Sequence, residues 1–196
     1  MNKLIGIIVD TSGSMNEMGK IHLQRNLCRY AAQLRFIDQE KYSGIDICFY
    51  QWAQDIYEIT IQSDGDIPAL KAEGASNLCV LSKFLSQHSN EDDQTRILIF
   101  SDGNFPSSED IKSFQKQLDT YTNLSIRTVA VGADADLLKL KNISTNNTVY
   151  LSENIASAID STIFGSDESL NAPVSTAQIL QSTLAESQEP EEDWDA

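Results

Sequence analysis

The sequence predicts a doubly wound α/β fold: a mostly parallel six-stranded sheet with one antiparallel edge strand and helices on both faces. Three observations predict it. The apolar runs "LIGIIV" (4–9) and "RILIF" (96–100) are continuous rather than alternating, as expected of strands buried on both faces. Stretches with helical periodicity alternate with such runs along the chain, which is the order of a layered α/β sheet. Finally, the runs 45–52 and 56–61 are separated only by a polar break at Gln54–Asp55, a link too short for anything but an antiparallel pair.

Taken in order, residues 4–9 form the first strand. Residues 20–37 follow as a helix, with Leu23, Leu27, Tyr30, Ala31 and Leu34 spaced along one side. The strand pair 45–52 and 56–61 leads into a polar, glycine-containing loop over 62–75. A helix over 77–88 carries Leu78, Leu81, Leu85 and His88 on one face, with His88 expected at the edge of the core. After the strand 96–100 come a helix over 108–121 (Ile111, Phe114, Leu118, Tyr121), a strand over 126–131 closed by Gly132, and a short helix over 134–142. "TVYL" (148–151) supplies the last strand, and Ile155, Ile159 and Ile163 place the last helix over 153–164.

The chain divides at about residue 165. Residues 1–165 read as one globular domain, and 166–196 as an acidic tail with the composition of a disordered segment. The net charge of the 196 residues is −15, and the tail holds eight acids and no Lys or Arg, so −8 falls there and −7 on the rest. So acidic a surface argues against nucleic-acid and anionic-membrane partners, both of which need cationic contacts. Within the tail, Val174, Ile179, Leu180 and Leu184 make a brief apolar stripe, and Trp194 sits in "EEDWDA". No apolar run approaches the roughly 20 residues that span a bilayer, and the N-terminal run is too short for a signal peptide. Three scattered cysteines, Cys28, Cys48 and Cys79, read as small hydrophobes rather than disulfide or zinc partners. These features together predict a cytoplasmic protein.

In a doubly wound sheet, ligands bind beyond the carboxyl ends of the strands where strand order reverses. Two loops there carry oxygen donors: "DTSGSM" after the first strand and "SDG" after "RILIF". The nearby "GSMNEMGKI" suggests a phosphate loop but has five residues between Gly13 and Gly19 instead of four. It also has Ile21 where a metal-binding hydroxyl is required. The extra residue displaces the chain by up to about 3.5 Å, enough to spoil a cradle of backbone N–H groups. An aspartyl-nucleophile phosphatase needs a second Asp where Ser12 stands, and a Ser–His–Asp hydrolase has only His22 and His88, both on helices, to draw on. Asp10, Ser12 and Ser14 lie within one turn, joined by Ser76 in "EGASN" and by Asp102. That set is all oxygen and suits a hard divalent cation.

"DTSGSM" matches the D-x-S-x-S signature of von Willebrand factor type A (vWA) domains, and the chain over residues 1–165 resembles that family. The resemblance implies a metal-ion-dependent adhesion site (MIDAS) formed by Asp10, Ser12, Ser14, Ser76 and Asp102, with Ser76 where the family usually has Thr. It further implies Mg2+ as the ion, with Mn2+ and Ca2+ as alternatives. The expected role is that of a non-enzymatic interaction module, in which a protein partner supplies a Glu or Asp to the open metal position. Intracellular bacterial members work as adaptors beside ATPases, kinases or phosphatases. Two other readings stand beside it: a metal-dependent hydrolase using Asp10 and Asp102, and an adaptor that binds mainly through its acidic tail.

Overall fold

The structure, a computed structural model, describes residues 3–62, 65–89 and 94–165. The acidic tail and its apolar stripe lie outside them. Six strands form one sheet: β1 (Lys3–Asp10), β2 (Ile45–Trp52), β3 (Ile56–Ile59), β4 (Thr95–Ser101), β5 (Leu124–Ala130) and β6 (Val149–Leu151). Their spatial order is β3-β2-β1-β4-β5-β6, with every pairing parallel except β2–β3. Strand order reverses between β1 and β4. The carboxyl ends of these two neighbours therefore open a crevice, and they carry "DTSGSM" and "SDG".

The continuous apolar runs are explained by two cores, one on each face. Ile5, Ile7 and Val9 of β1 point to one side with Leu98 and Phe100 of β4, while Ile8, Ile97 and Ile99 point to the other. Helices α1 (Lys20–Ile37) and α6 (Ile155–Phe164) cover the first side. Helices α3 (Leu78–His88), α4 (Ser108–Leu118) and α5 (Leu137–Asn142) cover the second. A short helix α2 (Gln39–Tyr42), which periodicity does not signal, follows α1 and is capped by the Asp38 side chain accepting from Lys41 N. Gly6 leaves room for the Ile97 side chain of β4, since a Cβ there would lie 2.8 Å from Ile97 Cδ1.

Several expected boundaries and faces shift. The helix expected over 134–142 begins only at Leu137, because Asp136 caps it by accepting from Lys139 N. The helix expected over 108–121 ends at Leu118, and the one expected from 153 starts at Ile155 after a 3-10 turn over Ser152–Asn154. Leu23 is exposed rather than in the core stripe, and α1 buries Ile21, Leu27, Cys28, Ala31 and Leu34 instead. His88 is exposed, stacking on the Phe84 ring at a centroid distance of 4.0 Å. Of the cysteines, all free, Cys28 is buried and Cys79 is exposed.

The α6 end of the first core is tied to α2 by Tyr42, whose hydroxyl donates to Asp160 Oδ1 at 2.8 Å beside Lys41 Nζ, 2.6 Å from Oδ2. Burial, with the Asp160 hydrogen bond second, pushes the Tyr42 phenol up to about 12. A folded-state value above the unfolded one adds stability that is complete below about pH 10 and lost as pH rises through 12. Tyr50 is raised likewise, chiefly by burial. Alkaline unfolding followed by circular dichroism is therefore expected to steepen above about pH 10, and Tyr42→Phe to flatten that dependence without abolishing it. A Tyr42→Phe protein with an unchanged alkaline limb would refute the linkage.

Candidate metal centre

The loop after β1 is a 3-10 segment, Gly13–Gly19, which Ser12 precedes in extended conformation. Backbone bonds stitch this rim together. Thr11 N donates to Trp52 O at 2.7 Å, Gly13 N to Gly74 O at 2.9 Å, and Glu73 N to Thr11 O at 2.8 Å. The loop before α3 is thereby drawn against the end of β1, delivering Ser76.

Asp10 is the centre of the arrangement. Its side chain is wholly buried, and its oxygens receive only neutral donors. Ser12 N donates to Oδ1 at 2.9 Å, and Ser101 Oγ to Oδ2 at 2.6 Å. Ser76 Oγ donates between Oδ1 and Oδ2, at 3.0 and 2.9 Å. Burial pushes the Asp10 carboxyl above its ordinary range, while the bonds from Ser101, Ser12 and Ser76 pull the other way. Among the described residues no cation pairs with it, and an uncompensated buried carboxylate costs several kcal/mol.

Ser76 has no capping duty. Asn77 caps α3, its Oδ1 accepting from Cys79 N and Val80 N, which leaves the Ser76 hydroxyl to Asp10. Ser12 Oγ and Ser14 Oγ lie 3.2 Å apart in the same turn. Asp102, also buried, accepts from Asn104 N at Oδ1 (3.0 Å) and from Lys20 Nζ at Oδ2 (2.8 Å). The structure thus places Asp10 and Ser76 in contact and Ser12 beside Ser14. It sets Asp102 on the adjoining strand end, next to Ser101.

Sequence reasoning missed four participants. Ser101, adjacent to Asp102 at the end of β4, bonds Asp10 directly; its position at a strand's carboxyl end was the available signal. Gln24 Nε2 donates to Asp10 O at 2.8 Å from the inner face of α1, and Gln24 Oε1 is buried without a protein partner. Lys20 is buried with its ammonium 2.8 Å from both Asp102 Oδ2 and Asp134 Oδ2. Burial pushes the Lys20 amine down, but its bonds to Asp102 and Asp134 outweigh this and leave it above the ordinary lysine value. Asp134 is correspondingly lowered by Lys20.

The donors fit a hard divalent cation by chemistry. They comprise two buried carboxylates and three hydroxyls, and among the described residues there is no cluster of His, Cys, Asp and Glu such as zinc or iron prefers. A cation here would also supply the positive charge that Asp10 lacks.

No family model matches the chain, and no curated protein matches it in sequence. Solved structures do share its fold. The ArnB paralog VWA2 from Sulfolobus acidocaldarius superposes with a TM-score of 0.61 at 17% identity, over 82% of this chain and 45% of that one. A von Willebrand factor type A protein from Catenulispora acidiphila gives 0.53 at 14% identity, over 80% and 40%. The proximal thread matrix protein 1 of the mussel byssus, solved with a zinc-occupied MIDAS motif, gives 0.58 at 12% identity, over 83% and 47%. The chain spans less than half the length of these three proteins. The fold is therefore the Rossmann-like architecture of vWA domains. Among the described residues no helix is long and apolar enough to cross a membrane.

Proposed function

We propose that the chain is a divalent-metal-dependent protein-interaction module in which Asp10, Ser12, Ser14, Ser76 and Asp102 hold Mg2+. The observation that carries this reading is Asp10: a carboxylate with no solvent exposure, no cationic partner among the described residues, and three hydroxyl or amide donors fixing its orientation. The bound ion would act as a Lewis acid toward a carboxylate. The protein's own residues fix the donor positions, exclude water from Asp10, and keep the crevice open at the strand ends. A partner Glu or Asp fills the remaining position, so an acidic protein gains a local site for an acidic group. The vWA fold and the zinc-occupied MIDAS of the mussel protein support the metal reading.

The interaction role is favoured over hydrolysis by the side chains at hand. His22 is exposed on the first turn of α1, and His88 stacks at the far end of α3, so no imidazole is placed as a base beside Asp10. We place the module in the cytoplasm as an adaptor within a multi-protein system, beside ATPases, kinases or phosphatases.

The test is capture of partners by immobilised protein from lysate of its native host, in Mg2+ and in EDTA. Capture is expected in Mg2+, with loss in EDTA and in the Ser12→Ala/Ser14→Ala protein, whose circular dichroism stays native. Capture indifferent to both changes would assign binding to the acidic tail or another surface.

A further inference from the structure

Lys20 is the charged side chain that the metal reading leaves unused, and it is built in with care. Two consecutive left-handed residues, Met18 (φ 47°) and Gly19 (φ 72°), turn the chain into α1 and direct the next side chain inward. Met18, a non-glycine in this region, is strained and 74% exposed, so its side chain gains little there. The gain goes to Lys20, whose stem runs against Gly132. A Cβ at Gly132 would lie 2.6 Å from Lys20 Cδ and 2.9 Å from Cγ, and its φ of +96° also favours glycine. The turn after β5 is thus shaped around the lysine.

At the end of that stem the ammonium joins two unequal carboxylates. Asp102 is 2% exposed and stands among the proposed metal donors, while Asp134 is 40% exposed and faces solvent. The buried charges then read Asp10 −1, Asp102 −1 and Lys20 +1. Asp134 opposes the lysine from the solvent side, where the higher local dielectric weakens its field at the buried centre.

We propose that Lys20 is a resident cation of the metal centre, which neutralises Asp102 from behind, weakens the hold on a divalent ion, and leaves that ion with residual positive charge for an incoming carboxylate. This rests on the metal reading. With Asp10 and Asp102 alone, a divalent ion is fully neutralised and has little attraction left for a further anion. With Lys20 in place the buried centre is net positive when loaded, and the metal-free protein retains a compensated Asp102.

The role has a sign that simple orientation does not share. Removing a group that merely orients a ligand weakens metal binding, by about 10- to 100-fold for such supporting residues. Removing a like charge from beside a cation strengthens it. Titration of the protein with Mn2+ alone, with free ion counted by electron paramagnetic resonance, is expected to show Lys20→Met binding about tenfold more tightly than wild type. Asp134→Asn, which strips the lysine of its solvent-side partner, is expected to bind roughly threefold more weakly. If Lys20→Met fails to fold because Asp102 is left unpaired, Lys20→Gln, whose amide keeps a donor for Asp102 without the charge, takes its place, and the same tightening is expected. Weaker or equal Mn2+ binding on loss of the lysine overturns the proposal while leaving the metal site standing. A wild-type protein that binds no Mn2+ overturns both.

Discussion

Mg2+ is expected to raise the melting temperature of the wild-type protein, and Asp10→Asn to abolish the rise. A ligand bound only by the folded state at a hundred times its dissociation constant stabilises by about 2.7 kcal/mol. At roughly 2–4 °C per kcal/mol for a chain of this size, the shift is about 5–10 °C by differential scanning calorimetry. Asparagine keeps the shape: with its oxygen at the Oδ1 position it accepts from Ser12 N and Ser76 Oγ, and its amide nitrogen donates to Ser101 Oγ, which turns to accept, but it brings no negative charge. Metal-free Asp10→Asn is expected to melt no lower than the wild type, since a buried uncompensated carboxylate is replaced by a neutral amide. An equal Mg2+ response in the two proteins would remove Asp10 from the site.

Gly103→Ala is expected to lower the melting temperature by about 5–10 °C without metal and to blunt the Mg2+ response as well. Gly103 has φ +74°, and a Cβ there would lie 2.7 Å from Asp136 O and 3.1 Å from Leu140 Cγ. The backbone oxygen cannot move freely, because the same turn is pinned by Asp136 N donating to Asp102 O at 2.8 Å. Left-handed strain of about 1 kcal/mol adds to a steric clash of about 1–2 kcal/mol, and the substitution displaces the loop that carries Asp102. Gly165, also left-handed (φ +67°) but with nothing within 4 Å of its Cβ position, serves as the control: Gly165→Ala isolates the strain alone. Equal losses at the two glycines would show that the Asp136 contact is immaterial.

The fold was legible because its strands are unbroken apolar runs. "LIGIIV" and "RILIF" announce burial on both faces, and the short break at Gln54–Asp55 leaves β3 only an antiparallel place at the edge. Asp10, Ser12, Ser14, Ser76 and Asp102 can be gathered from the sequence as candidates because the reversal of strand order collects loops that are distant in sequence; the structure joins Asp10 to Ser76 and Ser12 to Ser14. Lys20 was not legible. In the sequence it completes a near-miss phosphate loop, and its burial depends on Met18 adopting a left-handed conformation that methionine gives no reason to expect. In the sequence Ser101 is masked by the neighbouring Asp102, a stronger donor, yet Ser101 makes the shortest of the bonds to Asp10. The exposure of Leu23 follows from the same turn, which rotates α1 so that Lys20 and Gln24 face inward.

The bonds of Asp10 to Ser76 and Ser101 also set when the site appears during synthesis. They join residues 66 and 91 positions apart, so two long loops must close before the carboxylate has its partners. A nascent chain that has emerged only through β2 and β3 already displays "DTSGSM", but it lacks the hydroxyls that orient Asp10 and the strand that shields it. On the proposed function, recognition at this crevice would therefore belong to a chain completed through β4, and a partner reading it would read completed folding as well.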